Sequence, residues 1–334
     1  MSSLLRVAVV GCGAISGNHI RAIQSAEQQL CALCDVDLSQ AQKKVDKFGL
    51  TDVAIYDDYQ TMLEQEHPDV VHICTPHDLH APMILQALER NIHVLCEKPL
   101  CISMEQLRAV CEAAERSQAK LGVCHQNRYE PRMICLKKMA EDGVLAGYGS
   151  VVWNRDAVYY RSGAWRGTVA HEGGGVLINQ ALHTLDLMQW ICGFPTHVIA
   201  HTHNDLLKGE IEVEDTASAC YLCENGVRYQ FYATNTAAAD LPVQVQVKLR
   251  NGAVIDAQND RIVGVQKDGT SASMPDSFGK FVWGSGHIAL VKDFYRCIQS
   301  GEHFSIDAME AGKVIRMILA TYASMGEKTE ISDI

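Results

Sequence analysis

The sequence predicts an α/β protein in two parts: an N-terminal doubly wound parallel sheet, then an α+β domain with an open-faced, mainly antiparallel sheet. Three observations carry this. The first 125 residues alternate short apolar runs with helix-like stretches, the pattern of crossover helices covering both faces of a parallel sheet. After Cys124 the rhythm changes to β-like runs joined by turn signals such as Asn225-Gly226 and Asn251-Gly252. A length of 334 residues is long for one ordinary domain and short for three. The division falls at residues 1–125 and 126–334.

In order, strands are expected at 5–10, 30–34, 53–56, 70–74, 93–96 and 121–124. Helices are expected at 39–48, stopped by Gly49, and at 103–118. Beyond them come a helix over 131–141, a strand over 150–160, and the cluster Gly173-Gly174-Gly175, which opens an amphipathic helix to about Cys192. Strands over 196–203, 216–223, 227–233, 243–249 and 253–257 precede two closing helices over 287–299 and 308–325.

Composition narrows the function classes. Hydrophobic residues make up 47% and charged residues 21%, both globular values, and no window approaches the roughly 20 apolar residues of a membrane span. The N-terminus runs straight into a strand pattern with no secretory signal, so a cytoplasmic protein is expected. With 29 Lys and Arg against 40 Asp and Glu, the formal charge of −11 and the lack of a basic patch argue against nucleic acid. The 13 cysteines read as reduced core thiols.

Strand one ends in Gly11-Cys12-Gly13-Ala14-Ile15-Ser16-Gly17 and runs into a helix, and Asp35 follows strand two, 24 residues after Gly11. Glycines there allow a tight turn and close approach of backbone to a pyrophosphate, while the helix N-terminus offers free N–H donors. Ser16 holds the third glycine position, is small enough for helix–strand packing, and can add a hydroxyl donor to a phosphate. Asp35 can accept both ribose hydroxyls and would repel a 2′-phosphate, so NAD is favoured over NADP. This is a Rossmann fingerprint.

These residues, with Thr75-Pro76 and His80, the tripeptide Glu97-Lys98-Pro99, Asn127-Arg128, and Gly173-Gly174-Gly175 leading to His183 and Asp186, resemble the Gfo/Idh/MocA family over nearly the whole chain. The resemblance implies an NAD-dependent dehydrogenase or reductase with a substrate domain. It implies catalytic roles for Lys98 and His183, often a cis bond before Pro99, and a homodimer or homotetramer. Many relatives carry an aspartate where this chain has Asn179. The implied substrate is a small polyhydroxylated molecule.

Chemistry read from the residues agrees in part. Lys98 lies beyond the carboxyl end of a parallel strand, where open α/β sheets bind ligands; the bland alternative is an exposed surface lysine. Asn179, His183 and Asp186, spaced by four and three, share a helical face, and an imidazole there can take a hydroxyl proton near neutral pH. Gly11, Gly13, Ala14, Ile15, Ser16, Asp35, Thr75, Pro76, His80, Glu97, Lys98 and Asn127 are the expected cofactor contacts. Arg128, Tyr160, Trp165, Arg166, Asn179 and His183 are the expected substrate contacts, though a core role for the Trp is an equal alternative. No metal is expected. Cys31 and Cys34, and Cys220 and Cys223, have zinc-like spacing but fall on strands, where residues three apart point to opposite faces. The alternatives are a dinucleotide-sensing regulator of the same fold and a dehydrogenase of a non-sugar diol.

Overall fold

A computed structural model describes residues 4–258, 261–265, 271–272 and 286–333. In chain order the first part contains β1 (Arg6–Val10), α1 (Ser16–Ser25), β2 (Gln29–Cys34), α2 (Leu38–Phe48), β3 (Ala54–Tyr56) and α3 (Tyr59–Glu66). It continues with β4 (Val70–Ile73), α4 (His80–Glu89), β5 (His93–Cys96), α5 (Met104–Arg116) and β6 (Leu121–Val123). Helix starts follow local chemistry: the side chains of Asp37 and Asp58 accept from the backbone N–H of Ser39 and Thr61. Gly49 ends α2 as the sequence predicts.

The six strands form one parallel sheet in the order β3-β2-β1-β4-β5-β6. That order reverses direction between β1 and β4, the switch point of a Rossmann sheet. The central strands are fully buried, so they are almost continuously apolar rather than alternating.

The rest of the chain runs through α6 (Pro131–Met139), β7 (Val144–Val152), α7 (Ala157–Arg161), α8 (Leu182–Cys192), β8 (His197–His203), β9 (Thr216–Leu222), β10 (Arg228–Thr234) and β11 (Gln244–Leu249). It closes with β12 (Val254–Gln258), β13 (Arg261–Val265), β14 (Ser271–Ala272), α9 (Gly286–Ser300), α10 (Ala308–Ser324) and β15 (Thr329–Glu330). A nine-stranded sheet runs β14-β13-β12-β11-β7-β10-β9-β8-β15. Its pairings are antiparallel except that of β7 with β10. The alternation of buried and exposed residues along β10 fits a sheet with one packed and one open face.

Three sequence expectations change. The strand expected over 150–160 ends at Val152, because Asp156 caps a short helix by accepting from the Tyr159 N–H. The helix after the glycine cluster begins as a π-helix over Leu177–Ala181 before becoming α8. Finally, the chain divides into two compact units, Met1–Cys101 with Glu105–Gln126 and Gly286–Gly312, and Ile102–Met104 with Asn127–Ser285 and Lys313–Ile334. The boundary at 125/126 thus omits the return of α9 to the first unit. There Phe294 and Phe304 press on Gly122, where a Cβ would come within 2.9 and 2.8 Å of their rings. An amphipathic pattern states that a helix packs, not which sheet it covers.

Candidate active site

In the first unit, the glycine loop is built for close backbone approach. Gly11 has φ +83°, and a Cβ there would lie 2.6 Å from the Cys74 carbonyl carbon and oxygen, so no larger residue fits. Gly13 and Ala14 are exposed and Ile15 is half-buried. No side chain caps the start of α1, which leaves its first-turn N–H groups for an anion. The Ser16 hydroxyl is not part of that donor set. It is fully buried and donates to the Gly13 carbonyl at 2.8 Å, which corrects the expectation that it reaches a phosphate. Lys44, a residue the sequence reading missed, donates to the same carbonyl at 2.7 Å and places a cation beside the loop. Asp35 accepts from the Cys12 N–H at 2.7 Å and the Asp37 N–H at 2.9 Å. Each carboxylate oxygen keeps a further lone pair for a ribose hydroxyl. The loop, uncapped helix and acid therefore fit a dinucleotide.

At the ends of β4 and β5, Thr75 and Pro76 are half-buried. His80 is different: it is fully buried, with Nδ1 2.6 Å from the Pro99 carbonyl and Nε2 2.9 Å from the Thr75 carbonyl. It ties two loops together and has no surface to offer a ligand, which corrects its assignment as a cofactor contact. Lys98 is half-buried, its backbone N–H donates to Glu97 Oε2 at 3.2 Å, and the Lys98–Pro99 bond is cis. Glu97 is almost fully buried and accepts from His19 Nε2 at 2.9 Å and His287 Nε2 at 3.2 Å.

Glu97, His19 and His287 are also, among the described residues, the one group with convergent metal-ligating atoms. Their contacts are hydrogen bonds to a single carboxylate oxygen. The neighbouring Cys124 thiol is pushed well up by burial, so it stays protonated and is a poor ligand. Hydrogen bonding accounts for the cluster without a metal. All 13 cysteines are free thiols.

In the second unit, Arg128 is not a substrate contact. Its Nε and NH2 donate to Asp186 at 2.7 and 2.5 Å, and both side chains are buried. Asp186 therefore faces inward, away from the role suggested by its spacing from His183. Tyr160 is likewise structural. It packs on Leu207, Ile211 and Val213, and its hydroxyl accepts from Asn235 at 2.7 Å. Asn127 is buried, and its Oδ1 has no hydrogen-bond partner among the described residues.

His183 and Asn179 are both half-buried. The Asn179 amide donates to Glu172, a fully buried carboxylate, and to the Tyr159 hydroxyl at 3.4 Å. Tyr159 also receives Gln180 Nε2 at 3.0 Å and Arg166 NH1 at 2.5 Å. The Arg166 guanidinium lies 4.5 Å from both the Tyr159 and the Trp165 ring centres. Sequence reading selected Trp165 and Arg166 but missed Tyr159 and Glu172, because a tyrosine and a glutamate beside glycines carry no periodic signal.

The start of the π-helix is clamped by Glu214. Its carboxylate accepts from Gly175 N at 2.8 Å, Leu177 N at 3.0 Å and the Tyr322 hydroxyl at 3.0 Å. Gly175 is obligatory, since a Cβ there would sit 1.9 Å from the Glu214 carbonyl oxygen. Burial pushes the Glu214 carboxyl up to about 7 from an ordinary 4.5, against the pull of its backbone donors. The folded protein therefore keeps this proton between those values while the unfolded chain has lost it. Stability falls as pH rises from about 4.5 to 7, by roughly 3 kcal/mol in total from this group. Denaturant midpoints measured over that range in the wild type and in Glu214→Gln check this. The decline disappears in the variant, and its persistence would assign it to another group.

Comparison with known proteins agrees with this geometry. Residues 5–125 match the GFO/IDH/MocA oxidoreductase family, NAD-binding Rossmann fold, and residues 136–255 match the GFO/IDH/MocA C-terminal domain. D-Glucoside 3-dehydrogenase of Escherichia coli K12 is 33% identical over 209 residues, 61% of this chain and 58% of that protein. D-Apiose dehydrogenase of Paraburkholderia graminis is 25% identical over 336 residues, 96% of this chain and 87% of that protein. The WlbA dehydrogenase from Bordetella pertussis, solved with NADH and UDP-GlcNAcA, superposes with a TM-score of 0.86 over 99% of this chain and 100% of its own. At 24% identity it is similar in fold. With a Rossmann sheet, a dinucleotide-fitting loop and both family domains in place, the chain belongs to the GFO/IDH/MocA family and is an NAD-binding oxidoreductase.

Proposed function

We propose that the protein moves a hydride between NAD and a secondary alcohol or ketone of a sugar, cyclitol or nucleotide sugar. The observation that carries the reading is Lys98, two residues beyond β5 at the carboxyl edge of the sheet, with its backbone N–H held by Glu97. Bound NAD supplies the hydride acceptor. Gly11, Gly13, Ala14, Ile15 and the open N-terminus of α1 would hold its pyrophosphate, Asp35 would hold its ribose, and Thr75 and Pro76 would be further contacts of the first unit, with Asn127 a candidate in the second. Lys98 hydrogen-bonds the reacting oxygen and relays its proton.

Within the second unit, His183 is the candidate proton acceptor and Asn179 an orienting group, with Trp165 and Arg166 as candidates for stacking on and donating to a polyol. The Asn179 amide nitrogen donates to Glu172 and Tyr159, contacts that fix the orientation of its side chain. The named substrates of relatives, a glucoside and apiose, support a polyhydroxylated substrate class. Among the described residues no helix is long and apolar enough to cross a membrane. We place the protein in the cytoplasm as a homodimer or homotetramer.

A panel of sugars, cyclitols and nucleotide sugars, incubated with NAD+ and followed by the near-ultraviolet band of reduced nicotinamide, tests the reading. At least one polyol gives NADH, and silence across the panel in a protein that binds NAD+ would favour a dinucleotide sensor.

A further inference from the structure

Behind Lys98 the first unit holds a chain of five buried polar side chains, of which the proposed chemistry uses only Glu97, as the acceptor of the Lys98 N–H. Tyr295 Oη lies 2.8 Å from His72 Nε2, His72 Nδ1 lies 2.8 Å from His19 Nδ1, and His19 Nε2 lies 2.9 Å from Glu97 Oε1. His287 Nε2 meets the same oxygen at 3.2 Å. Exposures run from 0% for His19 and His72 through 2% for His287 and Tyr295 to 5% for Glu97.

One proton register satisfies all four contacts and leaves His287 Nδ1 without a hydrogen-bond partner among the described residues. The Tyr295 hydroxyl donates to His72, His72 Nδ1–H donates to His19, and His19 and His287 both donate through Nε2–H to a carboxylate that only accepts. Burial holds His72 well below the ordinary imidazole range, which keeps that ring neutral. Burial pushes the Glu97 carboxyl up, but the hydrogen bonds it accepts from His19 and His287 outweigh burial and hold it well below the carboxylate range. The result is a buried anion with no solvent to screen it.

Its position gives that charge a target. Glu97 directly follows β5, beside the β1/β4 switch point, and His19 lies on the first turn of α1, the helix that follows the glycine loop. The nicotinamide ring is cationic in NAD+ and neutral in NADH. We propose that Glu97, fixed by the Tyr295–His72–His19 chain and by His287, biases the bound dinucleotide toward its oxidised form. Glu97 is thus a positioning and electrostatic residue that tunes the redox balance of the site. The inference rests on the NAD-binding reading and adds a charge preference to it.

The test is equilibrium binding, independent of turnover. Kd for NAD+ and for NADH is measured by titration calorimetry in the wild type, Glu97→Gln and His72→Leu, with circular dichroism confirming the fold of each. Glu97→Gln preserves shape and one acceptor oxygen but removes the charge. It weakens NAD+ about tenfold, the worth of one modest charge contact, and leaves NADH within about twofold. His72→Leu keeps the carboxyl but removes the donor that fixes the His19 tautomer, so the Kd ratio moves the same way by about threefold and remains informative if Glu97→Gln does not fold. Equal weakening of both dinucleotides would reduce Glu97 to a structural role and overturn the proposal. Stoichiometric zinc in the purified protein would do the same, since a cation among His19, Glu97 and His287 would neutralise the anion. If the wild type bound neither dinucleotide, the NAD reading itself would fall.

Discussion

Lys98→Met lowers turnover by about a hundredfold or more while leaving the Kd for NAD+ within about a factor of two. That split is the signature of a group engaged with the reacting oxygen rather than with the cofactor, and the loss has the usual scale for a positioned proton-transfer residue. Methionine keeps the length and most of the apolar stem, so the half-buried site is not emptied. Steady-state kinetics on a responsive polyol, set beside an NAD+ titration, separates the two quantities. Wild-type turnover in Lys98→Met would remove the residue from the chemistry, whereas a matching loss of NAD+ affinity would make it a cofactor ligand.

The largest effect on stability belongs to the ion pair that displaced Arg128 from the substrate contacts. Asp186→Ala removes the carboxylate from a guanidinium held at 2.5 and 2.7 Å and only 6% exposed. Removing one partner of a buried pair costs about 3–5 kcal/mol, because the other charge is left without its counterpart. Asp186 also accepts from Gln189 at 3.2 Å, and the stacked Trp190 ring 5.5 Å from the guanidinium carbon does not replace a carboxylate. Denaturant unfolding of the wild type and Asp186→Ala measures the difference. A cost below about 1 kcal/mol would mean that water or neighbouring groups compensate the arginine, and that the pair matters less than its burial indicates.

The legible parts of the sequence are those whose chemistry is local. Gly11, the start of α1 and Asp35 are recognisable because a tight turn, an uncapped helix and an acid after the next strand lie within 24 residues of one another. The alternation of strands and helices gives the parallel sheet for the same reason. Features that depend on distant partners are not legible. Tyr295 and His72 are 223 positions apart and His287 and Glu97 are 190 apart, so nothing local announces the chain behind Lys98. The sequence marks His80 as a cofactor contact and Arg128 as a substrate contact, but their partners, two backbone carbonyls and Asp186, turn them inward.

The π-helix illustrates a different limit. Residues 177–192 have a spacing that a regular α-helix would satisfy, yet the Glu214 side chain takes the Gly175 and Leu177 N–H groups and the turn widens over Leu177–Ala181. Asn179 therefore meets Glu172 and Tyr159 rather than simply sharing a face with His183 and Asp186. Residue type marks the polar groups of this segment but does not set its register.

Direct transfer of the hydride is the central claim, and an isotope decides it. A panel compound that reduces NAD+ is prepared with deuterium on its carbons and incubated with the wild-type protein in ordinary water, and the reduced dinucleotide is examined by mass spectrometry. The account predicts one deuterium per NADH formed, carried from the oxidised carbon to the nicotinamide. Reduced dinucleotide without deuterium would mean that the hydrogen came from solvent and would contradict hydride transfer between substrate and NAD.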